Sequence, residues 1–246
     1  MTRFSVTTAI CLLSSALLSA QDAGATVVSS LPVVSAGSNS LGITLPAGFL
    51  PDGSIWFGSP DASASWLIGD DVITVSGGGN PDPFVNFAVG VIDVGAPSTF
   101  HFVFSIPLSP LLVGLVAVDS SLGISLTPTR GTVATITPVV GDIMVNTIGA
   151  CNAGVDIGSA FTAPKPTGNS PVLSVTHSFS AATTFNTSPG CDGTLTVSID
   201  FKGSGGSTAY GLTGSFEAIP EPAAMAAFGT GLLGLVGVSR RRPRPN

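Results

Sequence analysis

Apolar and polar residues alternate with period two along much of the chain. In Thr194–Phe201, Leu195, Val197, Ile199 and Phe201 fall on one side and Thr194, Thr196, Ser198 and Asp200 on the other. That is the pattern of a strand with one face in a core and the other in water. The same beat runs through Val175, His177 and Phe179, through Leu122, Ile124 and Leu126 before Pro128, and through Tyr210, Leu212 and Phe216 around Gly214. Leu111–Val118 is apolar, short and Val-rich, and reads as a core strand ended by Asp119-Ser120. Turn residues punctuate these runs: Pro51-Asp52-Gly53, the stretch 76–83, the stretch 164–169, and Gly203-Ser204-Gly205-Gly206. Gly and Asn accept positive φ there, and Pro presets the bend. Between the two ends of the chain no segment shows a helical period. The predicted fold is all-β, an antiparallel β-sandwich of jelly-roll-like form, flanked by an N-terminal signal helix and a C-terminal transmembrane helix.

The stretch from Gly79 through Phe100 to Ile106 predicts a hairpin: strand 84–93, corner 94–98, strand 99–106. Phe100, Phe102 and Phe104 then share one face, and His101 and Val103 the other.

The two ends change the picture from a plain β domain to an exported one. Arg3 precedes an apolar stretch from Ala9 to Ala20, and Ala23-Gly24-Ala25 offers a small-residue cleavage site. This is the layout of a secretory signal peptide, with the cut between Ala25 and Thr26 and a second choice after Ala20. Export through the Sec translocon follows. At the other end, Ala223–Val238 carries no charge and a single hydroxyl, Thr230. As a helix it would span roughly 24 Å, short of a hydrocarbon core of about 30 Å. Pro220 and Pro222 mark its outer boundary. Arg240, Arg241, Arg242 and Arg244 beyond it place the C-terminus in the cytoplasm. The expected segments are a signal peptide (1–25), a β-sandwich ectodomain (26–218) and a C-terminal signal (219–246).

Pro220-Glu221-Pro222, the apolar run and the arginine cluster together resemble a PEP-CTERM protein-sorting signal. The resemblance implies an exported protein of a Gram-negative bacterium. Its tail would insert transiently in the inner membrane and be removed by an exosortase, a membrane-embedded transpeptidase resembling a cysteine protease. The protein would then pass to the cell surface or the extracellular matrix. The resemblance covers about the last 28 residues and speaks to sorting alone.

Charge narrows the partners. Between Thr26 and Ile219 three cations, Arg130, Lys165 and Lys202, stand against eleven Asp and Glu217. A nucleic-acid partner is excluded on that balance, since phosphate binding needs a basic surface. The surface is instead polar through Ser, Thr, Asn and Gly, which suits extracellular polysaccharide surroundings. Cys11 lies inside the signal peptide and leaves with it. Cys151 and Cys191 remain, and an oxidising compartment lets them pair.

Candidate chemistry is sparse. Trp56, Phe57, Trp66 and Tyr210 suggest a sugar-stacking platform, with Trp56 and Trp66 its main members, or else core packing. The reading that follows is a carbohydrate-binding module. Asp52, Asp61, Asp70, Asp71 and Asp82 sit at presumed turns, where loop carboxylates suit calcium. No D-x-[DN]-x-[DN]-G loop accompanies them. The same carboxylates give the weaker alternative of a secreted hydrolase, but spacing pairs none of them. His101 and His177 stand apart, there is no CxxC, and no G-x-S-x-G elbow is present. The expectation is a surface or matrix protein without catalytic residues, metal or cofactor.

Overall fold

The computed structural model describes residues 32–58, 65–81, 83–109, 111–112, 114–129, 131–166, 174–188, 191 and 193–220. The signal peptide with its Ala25–Thr26 cut, the membrane helix, Asp61, Asp82, Glu221, Pro222, Arg240, Arg241 and Arg242 lie outside these residues.

The described strands, in chain order, begin with β1 (Val33–Ser38), β2 (Leu41–Leu45), β3 (Ala47–Phe49), β4 (Ile55–Gly58), β5 (Ser65–Ile68), β6 (Asp71–Asn80), β7 (Phe84–Asp93) and β8 (Thr99–Pro107). They continue with β9 (Leu115–Thr127), β10 (Ala134–Pro138), β11 (Met144–Ile148), β12 (Cys151–Asn152), β13 (Phe161–Ala163), β14 (Val175–Asn186), β15 (Thr194–Lys202) and β16 (Thr208–Pro220). One sheet runs β12-β11-β15-β8-β1-β2, with β10 joining β15 and β13 joining β10. The other runs β14-β9-β16-β7-β6-β4-β3, with β5 joining β6. Every pairing is antiparallel. Among the described residues no helix is long and apolar enough to cross a membrane.

The alternation read from the sequence is the alternation of burial. Leu195, Val197, Ile199 and Phe201 are buried on β15, and so are Leu122, Ile124 and Leu126 on β9. The two inner faces meet through aromatic rings. Phe104 of β8 packs against Phe57 of β4 at 5.5 Å and Phe87 of β7 at 5.2 Å. Tyr210 of β16 meets Phe201 of β15 at 5.6 Å. Edge-on and offset contacts of this kind add to the area the rings bury.

The chain crosses from one sheet to the other between β7 and β8, and this overturns the predicted hairpin. The strands Phe84–Asp93 and Thr99–Pro107 both form, but they do not pair. β7 lies between β6 and β16, and β8 lies between β1 and β15. Val94–Ser98 is therefore a corner from one sheet to the other, turned at Gly95 with φ 81°. The reason is packing. Each strand has a full apolar face, and crossing over sets those faces against each other, as Phe87 on Phe104 shows. A second correction concerns Leu111–Val118. The strand starts only at Leu115, because Gly114 at φ 83° bends the chain, and Leu111 is left exposed.

Candidate functional site

The outer face of the sheet that contains β16 carries a groove of about 540 Å³. Its floor is two transverse rows fixed by strand register. Thr74, Gly90, Gly211, Ser125 and Thr176 form one row across β6, β7, β16, β9 and β14. Ser76, Ala88, Thr213, Gly123 and Ser178 form the next. The glycines are what make it concave. A Cβ on Gly90 would stand 2.4 Å from Thr74 Oγ1, and one on Gly211 2.5 Å from Ser125 Oγ. Those hydroxyls instead lie over the bare backbone: Thr74 donates to the Gly90 carbonyl at 3.5 Å and Ser125 to the Gly211 carbonyl at 3.3 Å. Among the described residues no Asp, Glu, Lys or Arg lines the groove. It offers hydroxyls, backbone and small apolar patches to a neutral, polar, extended occupant.

The predicted tryptophan platform is not assembled. On β4, Ile55 and Phe57 are buried, so Trp56 between them points outward, over Gly48 of β3. Trp66 is the register partner of Ile73, which faces the core, and packs against the core edge. The two indoles are thus on opposite faces of one sheet. Phe57 and Tyr210 are buried in the core. Trp56 alone stays on the groove's face, level with Gly78 in the row beyond Ser76.

Of the predicted turn carboxylates, the described ones, Asp52, Asp70 and Asp71, do not form one site. Asp52 sits in the β3–β4 turn and accepts hydrogen bonds from Ser54 Oγ at 2.6 Å and Ser54 N–H at 3.0 Å, which lower its pKa. Asp70 is exposed in the β5–β6 turn, at the other end of β6. Asp71 is on the strand itself and buried, accepting from Ser38 Oγ at 2.5 Å and from Val94 N–H at 2.8 Å. Among the described residues no three His, Cys, Asp or Glu side chains gather as metal ligands. His101 is hydrogen-bonded through Nδ1 to its register partner Asp200 on the exposed face of the other sheet. His177 stacks on Phe161 at 5.3 Å and meets Phe179 edge-on at 4.6 Å.

One polar cluster was not foreseen. Asp93 ends β7 fully buried, with Oδ2 accepting from Gly205 N–H at 2.6 Å and Oδ1 lacking a partner. Burial pushes its pKa above the usual carboxylate value, and nearby Asp71 adds to the effect. Beside it the Tyr210 hydroxyl accepts from Ser204 N–H at 2.6 Å and donates to the Thr135 carbonyl at 3.2 Å, and burial raises its pKa. These groups close the end of the sandwich where the sheets meet. The sequence signal was Asp93 falling on the apolar side of an otherwise apolar strand face.

Cys151 and Cys191 are disulfide-bonded, Cα to Cα 5.2 Å. The bond joins β12 to the loop before β15, near the end of the sandwich where β16 leaves. There β16 pairs with β9 as far as Pro220, opposite Val116.

A family profile described as the PEP-CTERM protein-sorting motif matches residues 218–242. The match begins on the last residues of β16. Among solved structures, TmCBM61 in complex with beta-1,4-galactotriose is similar at 10% identity, over 72% of this chain and 88% of that one, with a TM-score of 0.24. A score that low carries no argument about fold or ligand. No curated protein matches the chain.

Proposed function

We propose that this chain, which ends in a PEP-CTERM sorting motif, is an exosortase-processed surface or matrix protein that works by association with extracellular polysaccharide and without catalysis. The observation that carries this is the motif at 218–242, continuous with a central strand of the sandwich. The motif implies export, a membrane-anchored intermediate and release from it. The rest of the reading draws on the surface, which is hydroxyl-rich and nearly free of cations. Replacing Pro220-Glu221-Pro222 with alanines tests the sorting half. The tail is then expected to stay attached and the protein to remain in the inner membrane. Unchanged release and location would sink the reading.

The uncharged groove favours a more specific second reading, a carbohydrate-binding domain that holds a neutral glycan chain across β6, β7, β16, β9 and β14. Serine and threonine hydroxyls with exposed backbone match sugar hydroxyls in donors and acceptors. The absence of lining charge matches a neutral chain better than an acidic one. A hydrolase built on turn carboxylates draws no support from Asp52 and Asp71. They lie at opposite ends of β6, a strand that spans roughly 30 Å, and Asp71 is committed to Ser38 and Val94.

A further inference from the structure

The structure assigns an upstream limit to the sorting cut: the scissile bond lies at Pro220–Glu221 or beyond, because everything before it is locked in the sandwich. This rests on the sorting reading above. β16 is an interior strand as far as Ala218, and its last two residues, Ile219 and Pro220, stay paired with β9. On one side β7 pairs with it through Glu217, opposite Phe84, and the Ala218 N–H then donates to the Pro83 carbonyl at 3.0 Å. On the other side β9 pairs with it through Pro220, opposite Val116. Phe216 and Ala218 are buried. An enzyme cleft that grips its substrate as an extended strand needs backbone groups that are free. Here they are engaged on both edges as far as Ala218 and on the β9 edge through Pro220, and freeing them would pull Phe216 out of the core.

The motif's prolines mark where this protection stops. Pro220 has no N–H to donate, and Pro222 repeats the block two residues later, so the ladder cannot run on. Glu221 and Pro222 alone separate Pro220 from the apolar run that starts at Ala223. Fully extended, that is a reach of roughly 10 Å. The enzyme therefore has a short gap to work in between Pro220 and the apolar run. In the cut, the peptide C–N bond breaks, the acyl carbon passes to water or to an acceptor amine, and the tail leaves with a new amino terminus.

Two measurements on the full-length chain decide the matter. The first is the intact mass of the mature protein from a bacterium that supplies an exosortase, expected to end at Pro220 or later. The second is proteinase K digestion of the folded precursor in detergent, expected to trim the tail and stop at Pro220 or later. A C-terminus at Ile219 or earlier in either experiment overturns the limit. A tail that is never removed in the cell overturns the sorting reading, while the proteinase K arm still reports whether β16 shields its own end.

Discussion

Gly205 donates its backbone N–H to Oδ2 of Asp93 at 2.6 Å, tying the β15–β16 turn to the last residue of β7. The bond explains why the turn holds Gly205 at φ 69°, where a Cβ would come within 2.5 Å of the Gly95 carbonyl oxygen. It also buries a carboxylate whose other oxygen has no partner. Burial first, and then Asp71, raise the Asp93 pKa, while the Gly205 N–H pulls it down. A folded-state pKa above the unfolded value means that the neutral acid is favoured in the fold. Its contribution is complete below the unfolded pKa and is lost as pH rises through the folded one. Asp93→Asn keeps an acceptor for Gly205 and removes the charge. Its melting temperature is expected to exceed that of the parent at about pH 7, with the difference closing near pH 4, the ordinary range of Asp. Thermal melts across that range check it. A variant that is less stable at neutral pH and equal in acid would mean that the carboxylate is favoured in the fold.

The disulfide closes a loop with a sequence separation of 40 between Cys151 and Cys191. In the chain-entropy model that constraint contributes about 4 kcal/mol through the unfolded state. The Cys151→Ser, Cys191→Ser double variant is expected to unfold at a lower urea midpoint by a corresponding margin. Its groove and its native circular dichroism should be unaltered. Urea titration of parent and variant, with and without reductant, measures this. A reductant-sensitive midpoint in the variant would show that the bond is not the cause.

Much of the sandwich was legible because burial follows period two, and period two is written residue by residue. Leu195, Val197, Ile199 and Phe201 needed no partner to be recognised as a core face. Pairing was not legible in the same way. Phe84–Asp93 and Thr99–Pro107 have the alternation and spacing of a hairpin, and only the packing of Phe87 on Phe104 sends them to different sheets. The groove was hidden for the same reason. Thr74, Gly90, Gly211, Ser125 and Thr176 are distant in the chain and become one row only through the register of five strands. Trp56 and Trp66 were grouped by type, whereas the parity of each on its strand decides its face. The sorting motif was the most local signal, and local signals survive without a fold.

That parity predicts unequal roles for the two tryptophans. Trp66 packs against the core edge and is half-buried, so Trp66→Ala is expected to cost about 2 kcal/mol, near half the loss for a fully buried aromatic. Trp56 is half-buried as well, but it rests on Gly48 on the outer face and not on the core, so Trp56→Ala should cost less, about 1 kcal/mol. Chemical denaturation of the two variants separates them. Equal losses would mean that both indoles support the core.

The groove makes the last prediction, on binding. Thr213 is exposed at the middle of the second row, between Ala88 and Gly123. Its side chain points away from the core, so Thr213→Arg should fold normally while laying a long charged chain across the floor. If a neutral glycan lies there, the substitution both occupies its space and introduces a charge that must be desolvated. Affinity for neutral oligosaccharides and for the host's own extracellular polysaccharide is expected to fall at least about tenfold, or ~1.4 kcal/mol. Ala88→Ser, which adds a hydroxyl at the floor, should hold affinity within about threefold, or ~0.7 kcal/mol. Isothermal titration of both variants against the parent provides the measurement. Binding that is unchanged in Thr213→Arg would move any glycan site off this face, with the sorting motif and the fold untouched.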